Sequence, residues 1–124
     1  PEYVCLGMHG EETAYKLTER LLALPNPPSA IFAMSDIQAI GSIQAIRDAN
    51  LRVPEDISVI GFDDVLLSRY VGLTTVRQHL EQSGYLGMQL LVDMLVTPDS
   101  VTPRELPPLT IVVRATTERY AGFD

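Results

Sequence analysis

Apolar residues arrive in short runs broken by polar, proline and glycine positions, and the spacing inside the runs alternates between two periods. Tyr3 to Leu6 is an apolar run ending at Gly7 and predicts a strand. Ala14, Leu17, Leu21 and Leu24 then fall three and four apart and predict a helix, which Pro25-Asn26-Pro27-Pro28 cannot continue. Ala30 to Met34 is again of strand length. Ser35-Asp36-Ile37-Gln38 follows it with the capping-box spacing of a hydroxyl residue and a glutamine three later, so a second helix is expected over Asp36 to Ala49, with Asn50 at its C-cap.

Ile37, Ala39, Ile40, Ile43 and Ile46 spread over about half the circumference of that helix at roughly 100° per residue, more than one buried face requires. Pro54-Glu55-Asp56 leads into Ile57-Ser58-Val59-Ile60-Gly61-Phe62, a third strand that ends at Asp63-Asp64. Strands alternating with helices over connections of about 20 residues predict parallel strands joined by right-handed crossovers. The fold class is therefore α/β, a parallel sheet flanked by helices. Val65 to Val71 is ambiguous, and Leu73 to Gln78 is extended. A helix from about Leu80 to Val96 places Leu80, Gly84, Gly87, Met88, Leu91, Met94 and Leu95 on one face, which reads as a core face, with Pro98 and Pro103 ending the helix. Leu106 to Val113 is a last extended run, placed at an edge or between two bodies by Pro107 and Pro108, and the tail from Thr116 is expected to be loosely held.

Composition narrows the partners. The chain has 124 residues and 46% hydrophobic content, enough for one modest core. Sixteen acidic against nine basic residues give a net charge of -7, and the arginines are scattered, so direct contact with nucleic acid phosphates or anionic lipid is disfavoured. Cys5 is the sole cysteine, which excludes an intrachain disulfide and fits a cytoplasmic protein. No apolar run reaches the length of a membrane span. The start at Pro1-Glu2-Tyr3 reads as the beginning of a fragment of a longer protein.

In open parallel sheets ligands bind beyond the carboxyl ends of the strands. Three segments qualify: Gly7 to Gly10 with His9, Ser35-Asp36, and Asp63-Asp64. Alternation along a strand lets only one aspartate face a cleft, and Asp63 is assigned to it, where its carboxylate would accept hydrogen bonds from sugar hydroxyls or ring N–H groups. The competing reading is that both aspartates cap a turn, that Ser35 and Asp36 do no more than cap a helix, and that His9 is solvated. No phosphate loop, dinucleotide-binding turn, nucleophile elbow or histidine pair with metal-ligand spacing occurs, and no cofactor is implied. A phosphoacceptor receiver lacks its lysine. The chain reads as no enzyme.

Pro28 to Asp36, Ala39-Ile40-Gly41, Leu51 to Asp64 and Leu73-Thr74-Thr75-Val76-Arg77-Gln78 together resemble the LacI/GalR family of transcription regulators, over about Gly7 to Thr117. The resemblance implies one lobe, the C-terminal subdomain, of a periplasmic-binding-protein-like type I fold. Residues 1–72 would form that lobe, 73–108 the crossover segments and a helix packing in the other lobe, and 109–124 the returning strand and tail. It further implies effector binding by Asp63, Ser35, His9 and Gln78, and a dimer interface on the second helix through Ile37, Ile40 and Ile43. The implied partners are a small-molecule effector such as a sugar or nucleoside, a second copy of the chain, and DNA only through a helix-turn-helix upstream of Pro1, in a cytoplasmic repressor. A solute-binding protein of a transporter shares the fold and is the alternative. In this chain the Leu80 helix is expected to expose an apolar face, its own sheet being absent.

Overall fold

The computed structural model describes residues 2–97 and 102–119. Among the described residues, four helices and four strands follow one another as α1 (Glu11–Leu22), β1 (Ala30–Phe32), α2 (Asp36–Asp48), β2 (Ser58–Asp63), α3 (Leu66–Tyr70), β3 (Thr74–Arg77), α4 (Leu80–Val96) and β4 (Thr110–Val112). The strands form one sheet in sequence order. β1, β2 and β3 are parallel, with Phe32 opposite Ile60 and Asp63 opposite Arg77. β4 returns antiparallel to β3, with Thr110 opposite Arg77.

The α/β architecture follows from the periodicity, and the core sits where α2 meets the sheet. Ile43 and Ile46 of α2 pack with Ala33, Ile57, Val59 and Leu73. α1 lies across α2, joined by a buried hydrogen bond from Thr18 Oγ1 to Ser42 Oγ at 2.9 Å. The two helices approach so closely that a Cβ at Gly41 would collide with the Glu11 carbonyl oxygen. The capping box begins α2 as expected, the Gln38 N–H donating to Ser35 Oγ at 3.3 Å. Its C-cap is Ala49, and Asn50 follows with φ 59°, the left-handed conformation that closes many helices.

Several expectations are corrected. Tyr3 to Leu6 forms no strand; Tyr3, Val4 and Leu6 are exposed, and an apolar run by itself names no partner to pair with. Val65 to Val71 contains the short helix α3. The face of α4 that reads as core buries nothing, and Met88, Leu91 and Leu95 are all exposed, as the absence of a covering sheet predicts. α4 ends at Val96, while Pro98 lies outside the described residues. Thr116, 3% exposed, is anchored rather than loose. Its carbonyl accepts from the Val59 N–H at 2.7 Å, and its hydroxyl donates to the Val59 carbonyl at 2.7 Å while accepting from the Thr74 N–H at 2.9 Å. One residue thus bridges β2 and β3 at the end of the sheet opposite Asp63.

Candidate functional site

Because β1, β2 and β3 are parallel, the residues that follow them line up along one end of the sheet. Ser35 comes after β1, Asp63 ends β2 and Gln78 comes directly after β3. Of the four residues assigned to effector binding, the structure joins two: Gln78 Nε2 donates to Asp63 Oδ1. Ser35 is buried and its side chain is engaged with Gln38, donating to Oε1 at 3.4 Å and accepting from the N–H. His9 is exposed in the segment before α1.

Asp63 and Asp64 do not alternate as in a continuing strand. Both have positive φ, 116° and 57°, so the chain turns sharply at the end of β2. Asp63 faces a cavity of about 630 Å3 that lies between this turn, α3 and the first turns of α4, and that Arg69, Arg77, His79 and Tyr85 also line. Asp64 borders the same cavity with a carboxylate only 2% exposed. It is held by Arg77 Nε at 2.6 Å and Arg114 Nη2 at 2.6 Å, and Arg114 Nη1 also donates to the Leu73 carbonyl at 2.7 Å. A second cavity, of about 260 Å3 between α1 and β1, is walled by Leu17, Leu21 and Phe32 and offers no pair of converging charges.

Burial by itself would raise the affinity of Asp64 for a proton, but hydrogen bonds from Arg114 and then Arg77, reinforced by their charges, outweigh it and hold the carboxyl below the ordinary range. A depressed carboxyl contributes stability that is present above its unfolded value, about 3.9, and is lost as pH falls through the folded value. Acidification from pH 6 to below about 4 is therefore expected to lower the urea midpoint of the wild type more than that of Asp64→Asn. Equal losses in the two proteins would refute the assignment.

Asp36 is a residue whose role the capping box conceals. Its carboxylate, 0% exposed, accepts from the Val65 N–H at 2.8 Å, Ser68 Oγ at 2.5 Å and Thr75 Oγ1, tying the start of α2 to the turn after β2, to α3 and to β3. Gly61 makes room for it, since a Cβ there would strike Asp36 Oδ1. These contacts span 29 to 39 residues, and no local pattern signals them. On α2, Ile37 is 38% exposed and Ile40 half-buried, whereas Ile43 packs in the core. Among the described residues no cluster of histidine, cysteine and carboxylate side chains suited to a metal ion occurs.

Residues 3–117 match the family described as the periplasmic binding protein-like domain. The chain belongs to this family. Relatives of this periplasmic binding protein-like domain are LacI-type transcriptional repressors: the one designated ExuR in Bacillus subtilis is 42% identical over 120 residues, 95% of this chain and 36% of that protein. The chain thus spans about a third of the length of the curated relatives it matches. Among solved structures, the lac repressor dimer bound to operator and the anti-inducer ONPF superposes with a TM-score of 0.77 at 32% identity, over 87% of this chain and 38% of that one. A LacI family regulator from Enterococcus faecium with bound ribose superposes at 0.80 with 27% identity, over 89% of this chain and 41% of that one. The relatives are repressors rather than enzymes, and the transporter alternative is not favoured. No helix among the described residues is long and apolar enough to cross a membrane.

Proposed function

We propose that this chain is the effector-sensing and dimerising part of a LacI-type DNA-binding repressor, that it binds a sugar, nucleoside or similar small metabolite, and that it catalyses no reaction. The carrying observation is the Asp63–Gln78 pair at the carboxyl ends of β2 and β3, beside a cavity of about 630 Å3. Gln78 occupies one carboxylate oxygen of Asp63, and the other would accept from a donor of a hydroxyl-rich metabolite. The ribose bound by the Enterococcus faecium regulator is a ligand of that chemistry. Ser35, buried just after β1, and His9, exposed before α1, are assigned to lesser contacts. DNA binding would reside in a helix-turn-helix upstream, which agrees with the acidic charge of this part, and a cytoplasmic location goes with that reading.

Dimerisation has its support in the exposed Ile37 and half-buried Ile40 of α2, beside which α3, tied to α2 through Asp36, exposes Leu66, Leu67 and Tyr70. Effector would act by favouring one arrangement of the paired subunits over another. Calorimetry of the intact protein against a sugar and nucleoside panel tests the assignment. A hydrogen bond to a charged acceptor is worth about 1.5–3 kcal/mol, so Asp63→Ala is expected to weaken the ligand found by about 10- to 150-fold. Unchanged affinity in that variant would overturn the role of Asp63.

A further inference from the structure

Asp63 and Asp64 hold backbone angles that glycine favours, with φ 116° at the first and 57° at the second. Aspartate enters the left-handed region around 57° at modest cost, but 116° lies outside even that region, and a residue with a Cβ keeps it only where its surroundings hold it there. Left to itself β2 would run on with its alternation intact, at a φ of about −120°, and the Asp63 carboxylate would leave its place beside the cavity. The turn is tied at three successive residues. Asp63 Oδ1 accepts from Gln78 Nε2, the Asp64 carboxylate accepts from Arg77 Nε and Arg114 Nη2, and the Val65 N–H donates to Asp36 Oδ2 at 2.8 Å. These partners lie 13 to 50 residues away in the chain, so the turn takes its shape from the sheet and α2 and not from its own sequence. The middle tie is the charged one. The Asp64 carboxylate, 2% exposed, cannot swing away from its two guanidinium groups without leaving a buried charge unmatched.

We infer that Asp64 is a positioning residue for the ligand site: its grip on Arg77 and Arg114, with Asp36 fixing Val65 behind it, holds Asp63 at an unfavourable backbone angle and so presets the Asp63 carboxylate before any ligand arrives. The inference rests on the proposed ligand-binding reading for its use, because a preset carboxylate spares the ligand the cost of reshaping the turn. The geometry itself needs no ligand. Asp63 and Asp64 thereby divide the work of one turn: the first faces the cavity, the second keeps the first in place.

The test reads the turn directly. In the intact protein, with aspartate labelled by 13C and 15N and no ligand added, NMR reports the Cα and Cβ shifts of Asp63, which depend on its φ and ψ. The wild type should give a single Asp63 resonance with the shifts of a positive φ. Asparagine suits a φ of 57° as well as aspartate does, but a neutral amide cannot serve two guanidinium groups, so in Asp64→Asn the Asp63 resonance should move towards extended-strand values or split in two. Arg114→Gln, which leaves the Asp64–Arg77 pair to support the fold, should move it the same way by less, and it decides alone if Asp64→Asn does not fold. Asp48 and Asp56, bonded to Tyr15 and Gln44 and to Arg52, should keep their shifts, which a general loosening of the fold would not allow. Extended-strand shifts at Asp63 in the wild type, an unmoved Asp63 in both variants, or movement of Asp48 and Asp56 alongside it in a folded variant would overturn the assignment. A failure of Asp63→Ala to weaken ligand binding, by contrast, would overturn the binding role of Asp63 and leave this result untouched.

Discussion

Replacing Asp36 by alanine is expected to lower the free energy of unfolding by about 3–5 kcal/mol, a large share of the 5–15 kcal/mol typical of a domain. The carboxylate is the common acceptor for Val65 N–H, Ser68 Oγ and Thr75 Oγ1, and Ser68 and Thr75 are fully buried. Its removal strands two fully buried hydroxyls and the half-buried Val65 N–H, at a cost of about 1–3 kcal/mol for each group left unpaired. Asparagine keeps the shape and one acceptor oxygen, so Asp36→Asn should lose less. Urea unfolding followed by circular dichroism measures both. A loss below about 1 kcal/mol in the alanine variant would show that the hub does not hold the sheet to α2 and α3.

A second large loss is expected at Gly41, where helix propensity argues the other way. In an exposed helix interior alanine in place of glycine gains about 1 kcal/mol. Here the added methyl would meet the backbone of Glu11, and a carbonyl at the start of α1 has no rotamer by which to give way. α1 must tilt off α2, which also strains the buried Thr18–Ser42 hydrogen bond. Gly41→Ala should therefore cost about 2 kcal/mol net, in the range of overpacked interiors. A stabilised variant in the same unfolding experiment would mean that the two helices separate without penalty.

The two cases mark what the sequence discloses and what it withholds. The start of α2 was legible because Ser35 and Gln38 are three residues apart, and the bounds of α4 because a helix pattern is local. A pattern identifies a face, though not what covers it. The apolar stripe of α4 read as core is exposed, and Ile43, assigned to a partner, packs from α2 into the core. Partners remote in sequence were invisible for the same reason. Asp64 meets arginines 13 and 50 residues away, and Asp36 meets Thr75 across 39. Asp63 could be singled out because its place at the end of a parallel strand is a property of the topology, whereas its bond to Gln78 is set by the register of β2 on β3.

The bridge made by Thr116 has a bearing on how the molecule is made. Its hydroxyl and carbonyl close the start of β2 onto β3 over a separation of 57 residues. Contacts of such range form late, after loops of many residues have been closed. On a ribosome, Val59 and Thr74 emerge long before the residue that links them, and chains are extended at roughly 5–20 residues per second. For several seconds of every synthesis the nascent sheet lacks its closing residue, and an interruption of translation before Thr116 leaves a product that has every parallel strand but no bridge between the beginnings of β2 and β3.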